Sequence, residues 1–217
     1  MITLYQYQHC PFCLRADMVA NYLDIRHQKV YLLNNDEETS MRLVNKKSIP
    51  ILELEDGTAL CDSEEIISRL QTFSEKKVVT DKVNHDEQLG AFHDIKDEID
   101  AMLFPRTILI KQPEFSTPAA RNYFQSEKEA LLGMSFDTAM DNSKTYQNRI
   151  EKTLSGMSDI VLPSQRDDSL SIADLYLYPW LRNLTMIKNI KMTDNQKTYL
   201  EEISVLTNTI GYTDRAQ

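Results

Sequence analysis

The chain contains two cysteines near its start, Cys10 and Cys13, which enclose a Pro-Phe pair. They follow an alternating apolar stretch and precede a segment with helical periodicity. The first N–H groups of a helix have no intrahelical partner and lie at the positive end of its dipole, so a thiol there loses its proton readily. A thiolate attacks disulfides, and a second thiol can resolve the mixed disulfide. The Cys-Pro-Phe-Cys spacing therefore predicts redox chemistry, with Cys10 as nucleophile and Cys13 as resolving thiol.

A Cys-x-x-Cys pair can also supply half of a zinc site. Such a site needs two more ligands at short spacing. The other Cys and His residues form neither a second Cys-x-x-Cys nor a His-x(3–5)-His pair; they are His9, His27, Cys61, His85 and His93. Pro11 moreover suits the first turn of a helix, where its missing N–H is not needed. We therefore expect no metal, with structural zinc as the alternative.

Composition excludes several classes of protein. The 217 residues carry a net charge of −9 that is spread along the chain, with no basic stripe for nucleic acid or an anionic membrane. The three cysteines argue against a secreted domain held by disulfides. We find no signal-peptide pattern and no apolar run near the ~20 residues of a membrane span. The cytoplasm is the expected compartment.

The first 74 residues alternate between strand and helix patterns, as is typical of an α/β unit. Strands are predicted at Ile2–Tyr7 and Lys29–Leu33. Between them lies one apolar stripe with helical spacing, formed by Phe12, Ala16, Val19, Ala20 and Leu23. A weaker helical pattern covers Glu38–Asn45. The order is strand, helix, strand, helix.

A hairpin is predicted next, with strands at Ile51–Glu55 and Thr58–Cys61. The Asp56-Gly57 pair between them fits the two central positions of a type I′ turn. The following helix is predicted to begin after Asp62, whose carboxylate can cap it, and to end near Phe73.

Residues 75–84 lose the apolar period and predict a linker. From residue 85 to the end helical periodicity recurs and glycine is scarce. A capping box, Ser171 with Asp174, predicts one helix start there, and Pro179 lies inside that helix. The predicted organisation is an α/β domain at residues 1–74, a linker at 75–84 and an all-helical domain at 85–217.

Four stretches of the chain resemble the glutaredoxin 2 family, at residues 7–14, 47–52, 115–121 and 181–185. They read Tyr-Gln-His-Cys-Pro-Phe-Cys-Leu, Lys-Ser-Ile-Pro-Ile-Leu, Phe-Ser-Thr-Pro-Ala-Ala-Arg and Leu-Arg-Asn-Leu-Thr. Because they span both halves, the resemblance implies a thioredoxin-like N-terminal domain, an all-α glutathione S-transferase-like C-terminal domain and the use of glutathione. The family often has tyrosine at Phe12, so we expect a changed local hydrogen bond and retained activity.

The resemblance also implies residues that bind glutathione. Ile49 and Pro50 match the cis-proline position, where the Ile49 backbone would pair with the glutathione cysteine. Asp62 and Ser63 would meet its γ-glutamyl end, with Ser63 at a helix N-terminus on the carboxylate and Asp62 on the ammonium. Lys47 matches the basic position that holds the glycine carboxylate. The structural alternatives are a trans proline, simple helix capping and a solvated lysine.

Four residues have weaker claims to a role in the site. His9 and Arg15 could favour the Cys10 thiolate by their charge, although adjacency in sequence does not guarantee contact. Cys61 could be oxidised near glutathione, but we favour a small buried side chain. Trp180, with apolar neighbours at helical spacing, is interpreted as core.

The predicted function is a glutathione-disulfide oxidoreductase that reduces protein disulfides and glutathione mixed disulfides. Its partners would be glutathione and disulfide-containing or glutathionylated proteins, and the resemblance suggests a monomer. One alternative is a transferase that conjugates glutathione to electrophiles, although such enzymes usually activate the glutathione thiol with Tyr or Ser. The other is an iron–sulfur or zinc carrier that binds its metal through Cys10 and glutathione.

Overall fold

The computed structural model describes residues 1–78 and 83–217. These residues form two compact units. The first comprises Met1–Val78 and Lys111–Phe124, and the second comprises the described residues of Val79–Ile110 together with Gln125–Gln217. The sequence prediction assigned residues 111–124 to the helical domain, whereas their contacts group them with the first unit. Part of the predicted linker, residues 79–82, lies outside the described residues.

The first unit is built on a mixed four-stranded sheet with strand order β2-β1-β3-β4. Strand β1 pairs in parallel with β2 and antiparallel with β3, which pairs antiparallel with β4. The elements of residues 1–78 are β1 (Ile2–Gln6), α1 (Pro11–Tyr22), β2 (His27–Tyr31), α2 (Glu38–Val44), β3 (Ile51–Glu53), β4 (Ala59–Leu60) and α3 (Ser63–Gln71). This is the predicted thioredoxin-like α/β arrangement.

Helix α1 buries the stripe that its sequence predicted. Its Ala16, Val19 and Ala20 side chains are buried, and the helix packs against α3. Phe12, included in the predicted stripe, is instead half exposed, at 51%. It lies in the first turn, next to the cysteines. Strand β2 begins and ends two residues earlier than predicted, because the residues of this edge strand are all at least partly exposed and its apolar pattern is weak.

The β3–β4 hairpin forms, but its turn differs from the type I′ prediction. The Thr58 carbonyl accepts a hydrogen bond from the Leu54 N–H at 2.8 Å, and the Leu54 carbonyl accepts one from the Gly57 N–H at 3.0 Å. Gly57 has φ +86°, while Asp56 is not among the residues with positive φ. The loop therefore has three residues and uses glycine alone in the left-handed region. The Asp56 carboxylate accepts the Thr58 N–H at 2.9 Å, which favours this form.

The regular elements of the remaining described chain are helices, as predicted. They are α4 (Asp86–His93), α5 (Lys96–Leu109), α6 (Pro118–Leu132), α7 (Phe136–Asp141), α8 (Ser143–Gly156), α9 (Ile172–Leu184) and α10 (Asp194–Thr207), with short 3-10 turns at Pro113–Phe115, Pro163–Gln165 and Thr213–Arg215. The predicted capping box is confirmed: the Asp174 carboxylate accepts the Ser171 N–H at 2.8 Å. Among the described residues, none of the helices has the length and apolar character needed to cross a membrane.

Candidate functional site

Cys10 is the N-cap residue of α1. Its backbone is extended, with φ −70° and ψ 122°, and Pro11 occupies the first helical turn. The Cys10 Sγ accepts a hydrogen bond from the Cys13 N–H at 3.4 Å. The sulfur thus occupies the position in which Ser or Asp oxygens usually cap a helix. Its side chain is only partly buried. A partner can therefore reach it.

The surroundings of Cys10 favour its thiolate. Its pKa is lowered from the ordinary thiol value of 9.0 to about 7, first of all by the hydrogen bond from the Cys13 side chain. Burial acts in the opposite direction, and the charge of His9 and the N–H groups of Cys13 and Phe12 add to the lowering. The main cause is therefore a set of hydrogen-bond donors at the start of a helix.

Cys13, one turn further on, has the opposite character. It is buried, and burial together with the hydrogen bond to Cys10 and the charge of Cys10 raises the pKa of its thiol well above the ordinary value. The Tyr7 N–H points to the Cys13 Sγ at 3.4 Å. Both cysteines are free thiols in the structure. The pair thus combines a reachable thiolate with a buried, protonated partner.

Glu114, which the sequence analysis did not identify, lies beside the residue that precedes Cys10. Its Oε1 atom accepts hydrogen bonds from the His9 Nδ1 at 2.6 Å and from the His9 backbone N–H at 3.1 Å. The Glu114 side chain is fully buried, and its backbone carbonyl accepts the Asn34 N–H at 2.9 Å. The segment that follows α5 therefore supplies a buried carboxylate to the redox site.

Three aromatic rings surround the His9 imidazole. Tyr7 stacks on it in nearly parallel fashion at 5.7 Å between centroids, Phe115 lies at 5.1 Å, and Phe124 meets it edge-on at 5.4 Å. Phe115 and Phe124 also contact each other at 5.0 Å. The ring therefore has little freedom to turn away from Glu114.

Lys47 is exposed and lies in a polar cluster with Glu37 and Tyr123. Its Nζ is 3.2 Å from a Glu37 oxygen and donates to the Tyr123 hydroxyl, which in turn donates to Glu37 at 2.8 Å. Burial is the largest single influence on Lys47 and acts to lower its pKa, but the hydrogen bonds with Tyr123 and Glu37 together raise that pKa overall. The hydrogen bonds that Glu37 accepts from Tyr123 and Lys47 lower the pKa of its carboxyl group. Lys47 is thus a cation already paired with a carboxylate.

The peptide bond between Ile49 and Pro50 is cis, as the resemblance predicted. Pro50 is buried and leads directly into β3. The Ser48 hydroxyl donates to the Cys61 carbonyl at 3.4 Å, which ties this loop to the segment before α3. Cys61 is partly exposed. The sequence analysis considered an oxidisable thiol and a small buried side chain, and this degree of exposure is intermediate between the two.

Asp62 caps α3 as predicted. Its Oδ1 accepts hydrogen bonds from the N–H groups of Glu64 and Glu65, both at 3.0 Å. Ser63 is the first residue of the helix and is partly exposed. The structural role of Asp62 is therefore present, and its carboxylate remains exposed.

The strand register brings the predicted residues to one end of the sheet. Tyr5 lies opposite Ile51 in the antiparallel β1–β3 pair, so the residues after Tyr5 face those before Ile51. Leu60 lies opposite Leu52, so the chain leaves β4 toward Asp62 at the same end. The loop to Cys10, the Ile49–Pro50 peptide and the start of α3 are thus neighbours by topology.

Arg15 and Trp180, which had weaker claims from the sequence, each contact an aromatic ring. The Arg15 guanidinium lies over the exposed Phe12 ring, 4.8 Å from its centroid. Trp180 in α9 is partly buried and stacks on Phe92 at 5.6 Å. Within residues 1–78 and 83–217, the Cys, His, Asp and Glu side chains form no group of three or more that could hold a metal ion.

Comparisons with known proteins agree with the fold. Residues 90–216, more than half of the chain, match the family described as glutaredoxin 2, C-terminal domain, and residues 9–72 match the glutathione S-transferase N-terminal domain. Glutaredoxin 2 of Escherichia coli K12 is 32% identical over 204 residues, which cover 93% of each chain.

Solved structures agree as well. The crystal structure of glutaredoxin 2 from Salmonella typhimurium in complex with glutathione is 31% identical, with a TM-score of 0.92 over 100% of this chain and 99% of that chain. The glutathione transferase GSTFuA3 of Phanerochaete chrysosporium, at 14% identity and a TM-score of 0.59 over 94% of this chain and 96% of its own, shares the fold alone. From its sequence and its structure, the chain belongs to the glutaredoxin 2 family.

Proposed function

We propose that this enzyme is a glutathione-dependent thiol–disulfide oxidoreductase that works through Cys10 and Cys13. Membership of the family supports glutathione-dependent oxidoreductase activity. The observation that carries the assignment to these two residues is the contrast between them: Cys10 is reachable with a pKa of about 7, while Cys13 is buried and its pKa is raised. A nucleophile and a resolving thiol require this difference.

With a glutathione mixed disulfide, the Cys10 thiolate attacks the glutathione sulfur. A bond forms between Cys10 and glutathione, and the protein substrate leaves as a thiolate that takes a proton. A second glutathione, as thiolate, then attacks the glutathione sulfur of this mixed disulfide. The products are the reduced protein, glutathione disulfide and the Cys10 thiolate. One free glutathione is consumed as the reductant, and the other half of the glutathione disulfide comes from the substrate.

With a protein disulfide, Cys10 forms a mixed disulfide with one substrate sulfur and releases the other as a thiolate. Cys13 loses its proton and attacks the Cys10 sulfur, which frees the reduced protein and joins Cys10 to Cys13. Two glutathione molecules reduce this disulfide and leave as glutathione disulfide. Only this route requires Cys13.

Three residues of the loop before β3 are assigned to the cysteinyl-glycine end of glutathione. The Ile49 backbone, next to Pro50, pairs with the backbone of the glutathione cysteine, and Lys47 binds the glycine carboxylate. The support is the topological closeness of this loop to Cys10 and the contact of Lys47 with the Glu37 carboxylate. We infer that the glycine carboxylate displaces or joins Glu37.

The start of α3 is assigned to the γ-glutamyl end. Ser63, with its backbone N–H at the helix N-terminus, binds the carboxylate, and Asp62 faces the ammonium. Asp62 uses one oxygen for both capping hydrogen bonds, and its carboxylate is exposed. Capping and binding are therefore compatible.

Two variants test the assignment of the cysteines. Cys10→Ser is expected to abolish turnover of glutathione mixed disulfides and of protein disulfides, because no nucleophile remains. Cys13→Ser is expected to keep activity on glutathione mixed disulfides and to lose it on protein disulfides. Cys61→Ser is the matched control, since it removes a partly exposed thiol outside the proposed pair. Full activity of Cys10→Ser would refute the proposal.

Assays on the same purified protein distinguish the proposed function from its two alternatives. Conjugation of glutathione to an aryl halide, without reduction of mixed disulfides, would identify a transferase instead. Visible colour from a bound iron–sulfur cluster would identify the carrier. We expect deglutathionylation as the main activity.

The natural partners are proposed on the resemblance. They are glutathione and disulfide-containing or glutathionylated proteins of the cytoplasm. The proposed state is a monomer, which sedimentation at micromolar concentration would test against a dimer.

A further inference from the structure

The buried Glu114 carboxylate holds His9 by two bonds that converge on one oxygen. Oε1 accepts the His9 imidazole at Nδ1 and the His9 backbone N–H, at 2.6 and 3.1 Å. The second bond fixes the backbone directly before Cys10, and the first fixes the ring. Glu114 is itself anchored, because its carbonyl accepts the Asn34 N–H at 2.9 Å.

A carboxylate with 0% exposure is costly unless a charge or several donors compensate it. Burial acts to raise the pKa of Glu114, but the hydrogen bond and charge of His9 outweigh it, so that the pKa is lowered overall. Glu114 is therefore ionised at neutral pH. The His9 imidazole, 2.6 Å from this carboxylate, is a contact that compensates its burial.

The His9 side chain is only 16% exposed and lies among the rings of Tyr7, Phe115 and Phe124. Such surroundings disfavour a charged imidazole that has no partner. The carboxylate of Glu114 thus supplies the negative charge that these three aromatic rings do not provide. The charge of His9 in turn favours the Cys10 thiolate.

We propose that Glu114 is a positioning residue of the redox site: its carboxylate holds the imidazole and the backbone of His9 next to Cys10 and so raises the nucleophile's reactivity near neutral pH. The inference rests on the proposed role of Cys10 as the nucleophile. Besides the two cysteines themselves, the ionisable groups whose charge acts on Cys10 or on its neighbours Tyr7 and Cys13 include His9, Asp36 and Glu114.

Glu114→Gln tests the charge separately from the shape, because glutamine keeps an acceptor for the His9 N–H. The rate of alkylation of Cys10 by iodoacetamide is measured against pH in a Cys61→Ser background. We expect the rate to fall about fivefold at pH 7, which corresponds to a rise of about one unit in the pKa of Cys10. At pH 10 the rate is expected to equal that of the parent, because the thiol is ionised in both proteins.

Glu53→Gln is the matched control. Glu53 is a partly buried glutamate of the same unit that accepts the Tyr5 hydroxyl at 2.7 Å, and it pairs with Thr3 at the other end of β1. Its substitution is expected to leave the profile unchanged. His9→Asn, which keeps a neutral donor, is expected to lower the rate at pH 7 as Glu114→Gln does. The double variant should show no larger effect.

An unchanged profile in Glu114→Gln would overturn the inference, and so would a rate lowered equally at pH 7 and pH 10, which indicates mere disorder. If Glu114→Gln does not fold, the alkylation profile of His9→Asn is measured instead. An unchanged profile in that variant would equally overturn the inference. Alkylation does not depend on turnover. Failure of the proposed function would instead appear as activity in Cys10→Ser.

Discussion

Cys10 and Cys13 are one helical turn apart and yet have opposite chemical surroundings. Cys10 caps the helix, where N–H groups and the Cys13 thiol donate to its sulfur. Cys13 points into the core, where burial disfavours its charge. The contrast in pKa between the two thiols therefore follows from the first turn of α1, and it fits the roles that we propose for Cys10 as nucleophile and Cys13 as resolving thiol.

The lowered pKa of Cys10 predicts the pH dependence of its reactivity. Since the thiolate is the reactive form, the alkylation rate of Cys61→Ser protein should rise with pH, reach half its maximum near pH 7 and level off above about 8. The measurement is the rate of iodoacetamide modification from pH 5 to pH 10. A midpoint near 9.0, the ordinary thiol value, would show that the helix start does not stabilise the thiolate.

At the scale of elements, the N-termini of α1 and α3 are capped by different kinds of side chain. Helix α1 uses a sulfur as its cap and a proline in its first turn. Helix α3 uses the Asp62 carboxylate. In both cases the capping atom satisfies N–H groups that the helix leaves open, and the same position faces the end of the sheet where we place the substrate.

Substitutions of Asp62 separate capping from binding. Asp62→Asn keeps an acceptor for the Glu64 and Glu65 N–H groups, so we expect near-parent stability but a raised KM for glutathione. Asp62→Ala removes the cap as well and should also lower the free energy of unfolding by about 0.5–2 kcal/mol. The measurements are steady-state kinetics and urea unfolding.

Ser135 offers the control, because its hydroxyl caps α7 by accepting the Thr138 N–H at 3.1 Å. Ser135→Ala should lower stability by a similar amount and leave the KM for glutathione unchanged. An unchanged KM in Asp62→Asn would restrict Asp62 to a structural role.

At the scale of the whole molecule, the second unit contains its own buried charge network around Asp174. The carboxylate of Asp174 has 0% exposure and accepts from the Ser171 N–H at 2.8 Å and the Tyr199 hydroxyl at 2.9 Å. It also lies 2.8 Å from the Arg166 guanidinium and 3.2 Å from His85 Nε2. The network joins the start of α9 to α10 and to the residue before α4.

Asp174→Ala should lower the free energy of unfolding by about 3–5 kcal/mol, because it leaves the Arg166 charge buried without its partner and removes the capping box. Urea unfolding followed by circular dichroism measures the change. Asp194→Ala is the control, since Asp194 also lies in a first helical turn but is exposed and pairs only at the surface with Lys197. Near-parent stability of Asp174→Ala would show that the network contributes little.

The sequence predicted most of the elements because their signals are local. The proline after Cys10, the Asp62 cap and the Ser171 capping box each act within four residues, and their predicted helix starts agree with the structure. The hairpin was also predicted correctly, because its turn signal is local. Its loop type was predicted wrongly, because the Asp56 side chain accepts the Thr58 N–H and Gly57 is left as the residue with positive φ.

By itself, the sequence determined the redox motif, its place at a helix start, the cis Ile49–Pro50 peptide through the resemblance, and the order of an α/β part and a helical part. Only the tertiary structure decided that Glu114 meets His9. These two residues are 105 positions apart, and no periodicity or cap marks the glutamate. The physical reason is that caps and turns are settled by neighbours in the chain, whereas the partner of a buried charge is chosen when distant segments are packed together.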